Sequence, residues 1–226
     1  MVYSFTGVVQ EKKLLTEDTL FFSLSCSADF TFEAGQFVTF FFLQEGKLKP
    51  RSYSILNPPS QKGTLEFITK LIPGGLASEF LGKAQKGATL AVKGPLGHMV
   101  LQEAEEHWFI ATGTGVVPFY SMLAEHLPHY PHQTFRLLWG LPGQKDIFLQ
   151  KELDDLQKMY PHFRYTITLS RETWSGAQGR VQAHLPSDFA HKMFYLCGRQ
   201  EMVLEMRAYL LAQGVSSTMI KVESYG

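Results

Sequence analysis

The stretch HWFIATGTGVVPFYSML, residues 107–123, decides the fold of the second half of the chain. Its run from Trp108 to Ala111 is short and apolar throughout, which favours a strand buried on both faces of a sheet. Gly113 and Gly115 then allow positive φ and leave no side chain between the backbone and a ligand. Pro118 suits the first turn of a helix. The stretch predicts strand, glycine turn and helix, and the free N–H groups at such a helix start favour an anion such as a pyrophosphate.

This stretch alone does not separate a ligand site from a tight strand-to-helix turn that uses glycine for steric reasons. Pro118 stands where the dinucleotide fingerprint of dehydrogenases has its third glycine. No Lys-Ser or Lys-Thr pair follows the glycines, which excludes a P-loop. A second site elsewhere in the chain is needed to choose between the two interpretations.

Composition excludes several classes of protein. The 226 residues carry a formal net charge of zero, so nothing global indicates nucleic acid or an anionic membrane. Cys26 and Cys197 stand far apart, which argues against a disulfide framework, a zinc site and an iron–sulfur cluster. Residues 1–6 lack the features of a secretion signal, and the apolar run 37–43 is too short to span a bilayer. We expect a cytoplasmic protein with no metal site, no membrane insertion and no nucleic-acid partner.

The first part of the chain, from residue 2 to residue 101, has the periodicity of strands separated by turn-prone residues. The predicted strands are 5–9, 19–26, 37–43, 52–56, 65–72 and 89–92, with one short helix over 76–84. This spacing favours a six-stranded antiparallel β-barrel.

After the polar stretch 102–106 the pattern changes to alternating strands and helices. The predicted strands are 108–111, 135–140, 165–169, 194–197 and 219–222, and the predicted helices are 118–127, 148–159 and 200–213. Such alternation favours an α/β domain with an open parallel sheet covered by helices. We therefore predict two domains, over residues 1–101 and 107–226.

A second anion site is indicated by Arg51, Ser52, Tyr53 and Ser54, which open a predicted strand. Arginine can pair with a phosphate through two hydrogen bonds, and strand alternation sends Arg51 and Tyr53 to one face. The group suits a ligand with a phosphate at one end and an aromatic ring at the other. A surface arginine beside a core tyrosine is the alternative.

The segment 73–78 places glycine and serine at another predicted helix start, which forms a second cradle for phosphate. A rigid turn is expected at 94–97, where the sequence is Gly-Pro-Leu-Gly. Each half of the chain thus offers one anion-binding helix start, and an enzyme that binds two nucleotides needs such a pair.

In its motifs and their order the chain resembles the ferredoxin–NADP reductase-like family of flavoproteins. The matching motifs are RSYS at 51–54, GGLAS at 74–78, GTGVVP at 113–118 and YLCG at 195–198. Support comes from GPLG at 94–97 and from Trp139-Gly140 with Asp146-Ile147 downstream. The match covers essentially the whole chain, and the ordered set is far more specific than any one motif.

The resemblance implies that the barrel binds FAD and the α/β domain binds NAD(P)H. It places Arg51 on the FAD pyrophosphate, Tyr53 against the flavin, and Ser54 near N5, the atom that receives hydride. The implied FAD-binding positions are Arg51, Ser52, Tyr53, Ser54, Ile68, Lys70, Gly75, Leu76, Ala77 and Ser78.

For the nicotinamide dinucleotide, the resemblance implies Thr112, Gly113, Thr114, Gly115, Val116 and Pro118 at the pyrophosphate, and Cys197 and Gly198 beside the nicotinamide. Ser54, Cys197 and Glu223 are the candidate catalytic residues. The end of the chain, Glu223 to Gly226, resembles the acidic and aromatic end of the family, but one residue follows the tyrosine. Tyr225 is expected to stack on the flavin or to belong to a frayed terminus. Relatives often have arginine where Tyr120 stands and two places after Gly140, so the resemblance does not carry over the nucleotide contacts that those arginines make.

The sequence gives conflicting indications of whether the cofactor is NADPH or NADH. Ser170 and Arg171 follow a predicted strand, and an arginine there can pair with a 2′-phosphate, as in relatives that use NADPH. Glu172, together with Trp174 and its surroundings, resembles relatives that use NADH. Arg180 supplies a further positive charge or is solvated. We predict NADPH as the cofactor, with NADH possible.

The implied function is an FAD-dependent oxidoreductase that passes electrons from NAD(P)H to a separate acceptor. Because the chain lacks iron–sulfur cysteines, a one-electron carrier must be another protein, with ferredoxin or flavodoxin expected first. The alternatives are a reductase component of an oxygenase, a free-flavin or quinone reductase, and a nucleotide-sensing module without turnover.

Overall fold

A computed structural model describes residues 1–225, so Gly226, the last residue of the C-terminal motif, lies outside the described residues. By their internal contacts the residues form two compact units. The first unit comprises Met1–Val100 and Tyr120–Glu125, and the second comprises Leu101–Phe119 and the chain from His126 onward. Within residues 1–225, no helix is both long enough and apolar enough to cross a bilayer.

The first unit is built on an antiparallel sheet of six strands. The strands are β1 (Tyr3–Leu14), β2 (Thr19–Ser25), β3 (Phe37–Gln44), β4 (Lys47–Ser54), β5 (Thr64–Lys70) and β6 (Thr89–Leu96), with helix α1 at Leu76–Lys83. Their spatial order is β4-β3-β6-β1-β2-β5. The predicted antiparallel six-stranded architecture is confirmed.

Aromatic side chains fill the core of this unit. Phe22 stacks on Phe67 with ring centroids 5.1 Å apart, and Phe40 meets Phe67 edge-on at the same distance. All three rings are buried, together with Leu20, Leu24 and other apolar residues of the same face. Alternation along each strand puts these residues on one side of the sheet, which is why the sequence shows the period of strands.

Two local predictions in this unit are wrong. Strand β4 begins at Lys47 rather than at Ser52, so Arg51 lies inside the strand and does not open it. The segment 47–50 is Lys-Leu-Lys-Pro, and lysine and proline are uncommon in strands. It becomes a strand because a two-residue turn with positive φ at Glu45 and Gly46 pairs it with β3. Likewise β6 continues to Leu96, through the Gly-Pro pair where a turn was expected.

The second unit is a parallel sheet of six strands. The strands are β7 (Glu106–Thr112), β8 (Thr134–Leu141), β9 (Phe163–Leu169), β10 (Ala177–Gln178), β11 (Lys192–Arg199) and β12 (Ile220–Tyr225). The helices that follow these strands are α2 (Val116–His126), of which Tyr120–Glu125 group with the first unit, α3 (Gln150–Met159) and α4 (Gln200–Ala212). The predicted open parallel sheet with helices is confirmed, and only the two-residue strand β10 was missed, because it is too short to show a period.

Strand order in this sheet is β10-β9-β8-β7-β11-β12. The chain therefore moves outward from β7 through β8 and β9, and then returns to place β11 on the other side of β7. Parallel α/β sheets bind ligands at the carboxyl ends of the strands where the order reverses. That point lies between the end of β7, at Thr112, and the end of β11, at Arg199.

Candidate active site

The glycine turn after β7 has a conformation that requires glycine twice. Residues Gly113–Gly115 form a short 3-10 turn that leads directly into α2. Gly113 has φ of 56°, and a Cβ built there would meet nothing within 4 Å, so the space beside it is open. A Cβ at Gly115 would collide with the carbonyl oxygen of Cys197. The turn thus packs closely on β11 on one side and leaves room for a ligand on the other.

Hydrogen bonds from neighbouring strands fix this turn. The indole N–H of Trp139, on β8, donates to the carbonyl oxygen of Gly113 at 2.9 Å. The backbone N–H of Arg199 donates to the hydroxyl oxygen of Thr112 at 3.2 Å. Trp139 is fully buried and packs edge-on against Phe148. The sequence marked Trp139 as part of a motif but carried no sign that its indole holds Gly113.

Cys197, Glu223 and Tyr225 are brought together by the pairing of β11 with β12. Cys197 is the register partner of Glu223, and Arg199 is that of Tyr225. The Cys197 thiol is completely buried. Burial strongly raises the pKa of this thiol and the Glu223 carboxylate raises it further, against opposing hydrogen bonds from Tyr225 and Gly198. The thiol is therefore protonated at neutral pH.

Gly198 follows Cys197 and has φ of 142°. A Cβ at this position would collide with the hydroxyl of Thr112, so only glycine lets the ends of β7 and β11 approach so closely. The predicted positions Thr112, Gly115, Cys197 and Gly198 therefore form one contact group at the point where the strand order reverses.

In the first unit, Arg51 and Tyr53 lie on the same face of β4, as alternation predicts. Their register partners are Phe40 and Val38, both completely buried. Tyr53 stacks on Phe40 with ring centroids 5.1 Å apart and remains partly exposed. Burial raises the pKa of the Tyr53 phenol to about 12, so it is neutral. Arg51 is exposed, and its guanidinium donates to the carbonyl of Pro50 at 2.7 Å.

The remaining positions on β4 and β5 differ in exposure. Ser54 is buried, whereas Ser52 is exposed and its hydroxyl is hydrogen-bonded to that of Thr39 at 3.2 Å. Ile68 is buried in the sheet. Lys70 forms a 2.8 Å ion pair with Asp18, both about half exposed, so an anion at Lys70 has to compete with that carboxylate.

The start of α1 is a second glycine-led turn. Gly74 has φ of 72°, and a Cβ there would meet nothing within 4 Å. Gly75 is the N-cap and offers no capping side chain. The hydroxyl of Ser78 accepts a 2.8 Å hydrogen bond from the N–H of Ile72. That bond secures the turn, so it is the N–H groups of the first helical turn, at Leu76 to Ser78, that lack a partner inside the helix and can bind an anion.

Ser170 and Arg171 follow β9, and their backbone N–H groups donate to the carbonyls of Leu141 and Pro142, both at 3.0 Å. Arg171 is exposed. The Glu172 carboxylate accepts from the backbone and the side chain of Gln144, at 2.8 and 2.7 Å, and these bonds lower its pKa. Arg180 lies farther along the chain and faces Glu205 at 3.7 Å, with both side chains largely exposed.

The residues present fit two nucleotide cofactors. Each unit has a helix start led by glycine with open space beside it, at Gly74 and at Gly113. Each unit also has further candidate ligand groups: Arg51 and Tyr53 on β4, and Cys197 and Gly198 at the end of β11. A tight turn that uses glycine only for steric reasons would explain one of these two helix starts, but not the presence of both.

Comparison with known proteins bears directly on this arrangement. The family model of the oxidoreductase FAD-binding domain matches residues 6–101, and that of the oxidoreductase NAD-binding domain matches residues 109–208. A ferredoxin–NADP reductase B of Sorangium cellulosum is 35% identical over 211 residues, which are 87% of this chain and 86% of the relative. The chain belongs to the ferredoxin–NADP reductase-like family. It is an FAD-dependent NAD(P)H oxidoreductase that passes electrons to a separate acceptor.

Some relatives of this chain are longer. The anthranilate 1,2-dioxygenase electron transfer component of Acinetobacter baylyi is 32% identical over 77% of this chain, but the match covers only 53% of that relative. Among solved structures, the Amycolatopsis cytochrome P450 reductase GcoB superposes with a TM-score of 0.91 at 25% identity, over 99% of this chain and 70% of GcoB. A Neisseria gonorrhoeae ferredoxin NADP⁺ reductase shares the fold over 98% of both chains, with a TM-score of 0.87 at 22% identity.

Proposed function

We propose that this protein is an NADPH-dependent reductase whose acceptor is ferredoxin or flavodoxin. The observation that carries the choice of acceptor is the extent of the match to the Sorangium reductase, which covers 86% of that protein. Matches to the oxygenase electron transfer components cover only about half of them, 53% for the anthranilate dioxygenase component. The match to the Sorangium ferredoxin–NADP reductase therefore extends over most of both proteins.

For FAD, the proposal assigns the pyrophosphate to Arg51 and to the N–H groups of residues 76–78, while the N–H of Gly75 donates to the carbonyl of Ile72 at 2.9 Å and holds the turn. Arg51 is exposed on β4, and a bidentate contact from a guanidinium to a phosphate is strong and directional. Tyr53 keeps a neutral phenol and a partly exposed ring, which suits packing against a flat uncharged ring. Three other predicted positions have less support as FAD ligands. The Ser52 hydroxyl is already hydrogen-bonded, Ile68 is buried in the sheet, and Lys70 is paired with Asp18.

FAD supplies the redox chemistry, since it accepts a hydride from the nicotinamide and releases electrons singly, which no side chain of the protein can do. The protein has to bind the two cofactors, orient them relative to each other and exclude water. We assign Ser54 to orientation: it is buried on the same strand as Arg51 and Tyr53, and a hydroxyl there offers one directed hydrogen bond at the N5 position that the family resemblance indicates.

For the nicotinamide dinucleotide, the proposal assigns the pyrophosphate to the turn at 113–116 and the nicotinamide to Cys197 and Gly198. The thiol of Cys197 is buried and protonated, so the residue shapes the nicotinamide site as a small apolar group and does not act as a nucleophile. Glu223 lies across from Cys197 on β12 and provides a proton-accepting group on the same edge. Tyr225, two residues on, remains a prediction for a flavin contact.

The preference for NADPH rests on Arg171. Glu172 follows it, but the Glu172 carboxylate is held by two hydrogen bonds from Gln144. The Glu172 carboxylate therefore lies against the turn at 143–146, and the exposed Arg171 is available for a 2′-phosphate. Arg180 contributes less to the site, because Glu205 partly offsets its charge.

We also propose that the protein acts in the cytoplasm. Both Cys26 and Cys197 are free thiols, which suits a reducing compartment. The second candidate function is a reductase component of an oxygenase, which is favoured by the 32% identity to the anthranilate dioxygenase component.

The test is a turnover panel on the purified protein, preceded by a visible spectrum to establish bound FAD. At a fixed concentration of NADPH, the acceptors are ferredoxin, flavodoxin, cytochrome c and free FMN. We expect fast turnover with ferredoxin or flavodoxin at micromolar concentrations. Faster turnover of free FMN would indicate a flavin reductase, activity only with an oxygenase component would favour the second candidate, and FAD without any turnover would indicate a sensing module.

A further inference from the structure

Lys12 makes a set of contacts that the cofactor motifs do not account for. It lies on β1 and is partly buried, opposite Phe22 of β2. Its ammonium group donates to three backbone carbonyls, those of Leu81, Gly82 and Ala84, at 3.2, 2.8 and 2.6 Å. All three belong to the C-terminal end of α1, so each hydrogen of the ammonium has a separate acceptor there.

Helix α1 lacks the usual glycine cap at this end, and the other cation of its last turn is the exposed Lys83. Helices commonly finish on a glycine in the left-handed conformation, which lets following N–H groups satisfy the last carbonyls. Here the C-cap is Ala84 with φ of −54° and ψ of 137°, and its N–H satisfies the carbonyl of Phe80. The carbonyls of Leu81 and Gly82 go to Lys12 instead, and a cation at the negative end of a helix also complements its dipole.

The N-terminal end of α1 follows the glycine turn that the proposed function assigns to the FAD phosphates. The helix is only 8 residues long, about two turns, and helices of that length are marginal unless tertiary contacts hold them. Its apolar side is held by Ala77 and Leu81, which are buried in the core of the first unit. Leu76 also packs against this core, and Phe80 meets Phe42 of β3 edge-on with ring centroids 5.5 Å apart. Such apolar contacts are not directional, whereas hydrogen bonds to the carbonyls of the last turn fix the position of the helix along its axis.

We propose that Lys12 is a positioning residue for FAD: by fixing the C-terminal end of α1 it sets the position of the phosphate-binding start of the same helix. This inference rests on the proposed function, because it requires that residues 76–78 bind the FAD phosphates. Lys12 itself does not contact the cofactor in this account. Its loss acts through the C-terminal end of α1, where three carbonyls lose their donor and the short helix loosens.

The experiment measures the dissociation constant of FAD from the apoprotein, by quenching of FAD fluorescence, for the wild type and the variant Lys12→Met. Methionine keeps the apolar stem and removes the donors and the charge. We expect the dissociation constant to rise by about tenfold or more, as for the loss of a charge-assisted hydrogen bond. Lys12→Arg restores affinity to near the wild-type value. Lys12→Gln is a milder change, because glutamine retains polar N–H groups without the charge. It replaces Lys12→Met in the measurement if the methionine variant does not fold.

Two controls separate positioning from general stabilisation. Lys13→Met removes the exposed neighbouring lysine and leaves FAD affinity unchanged. Val9→Ala removes buried volume from the same strand, lowers the melting temperature of the apoprotein, and leaves FAD affinity within about twofold of the wild type. Amide hydrogen exchange of residues 76–83 supplies a readout independent of the cofactor, and we expect faster exchange in Lys12→Met alone.

The outcomes are distinct. If the wild-type apoprotein does not bind FAD, the proposed function fails. If it binds FAD but Lys12→Met binds it with unchanged affinity, the role of Lys12 is overturned. If Val9→Ala weakens FAD binding as much as Lys12→Met does, Lys12 stabilises the fold without positioning the cofactor.

Discussion

The indole N–H of Trp139 donates a 2.9 Å hydrogen bond to the carbonyl oxygen of Gly113. Gly113 has φ of 56° and begins the turn that the proposed function assigns to the nicotinamide dinucleotide. A completely buried tryptophan on the adjacent strand therefore fixes the carbonyl at the start of this turn.

Trp139→Phe keeps an aromatic ring in the core and removes the donor. We expect the KM for NADPH to rise by about threefold to tenfold, as for a net hydrogen bond of roughly 0.5–1.5 kcal/mol, with little change in FAD content. Steady-state kinetics with ferricyanide as acceptor provide the measurement. The matched control is Trp108→Phe, because the Trp108 indole donates to Glu106 at 2.6 Å at the other end of β7. Equal effects of both variants would show that the bond to Gly113 has no special role.

Arg51→Ala is expected to weaken the retention of FAD by roughly 1.5–3 kcal/mol, the range for a hydrogen bond to a charged group. The measurement is the flavin-to-protein ratio after gel filtration, together with the dissociation constant of the apoprotein. Lys47→Ala, an exposed cation on the same strand, is the control and should retain flavin fully. Full flavin content and affinity in Arg51→Ala would remove Arg51 from the FAD site.

Ser54→Ala is expected to slow the reduction of bound FAD by NADPH about tenfold or more while both cofactors still bind, because one directed hydrogen bond at the acceptor atom is lost. Stopped-flow absorbance measures this step. Ser52→Ala is the control, since that hydroxyl is exposed and hydrogen-bonded to Thr39. Reduction of Ser54→Ala at the wild-type rate would contradict the role assigned to Ser54.

Arg171→Ala is expected to raise the KM for NADPH at least about tenfold, equivalent to about 1.4 kcal/mol, and to leave the KM for NADH nearly unchanged. The reason is that only NADPH carries the 2′-phosphate. Arg180→Ala is the control and should have a smaller effect, because Arg180 already faces Glu205 at 3.7 Å. A wild type that prefers NADH, or a variant that loses both cofactors equally, would show that Arg171 does not contact a 2′-phosphate.

The buried imidazole of His107 predicts a pH dependence of stability. His107 is completely buried, and its Nε2 is hydrogen-bonded to Gln133 at 2.9 Å. Burial lowers the pKa of His107 below its usual 6.5, although Gln133, the Ala104 carbonyl and Glu106 oppose the shift. The unfolded chain therefore binds a proton below about pH 6.5 that the folded protein does not, and stability falls with falling pH.

Urea unfolding at pH 7.5 and pH 5.5 measures this effect. We expect the free energy of unfolding to decrease less between these pH values in His107→Gln than in the wild type, because glutamine does not titrate. His129→Gln replaces an exposed histidine and should retain the wild-type dependence. Identical dependence in all three proteins would show that His107 protonates equally in the folded and unfolded chains.

The sequence by itself determined the architecture, because architecture follows from local periodicity. Alternation with period two through the first hundred residues predicted the antiparallel strands, and the apolar run ending at Ala111 predicted a buried parallel strand before the glycine turn. The positions of Gly113 and Gly115 were also readable, since few other residues suit a strand-to-helix turn of this kind. Ordered motifs then supplied the family and its two cofactors.

Only the tertiary structure decided which residues meet. The pairing of Cys197 with Glu223 depends on the register of β11 with β12, and the bond from Trp139 to Gly113 depends on the neighbouring position of β7 and β8. Lys12 reaches the end of α1 across many intervening residues of chain. The strand over 47–51 likewise exists because β3 lies beside it. Such contacts join segments that are distant in sequence, so no local pattern encodes them, and their geometry appears only when the sheets have formed.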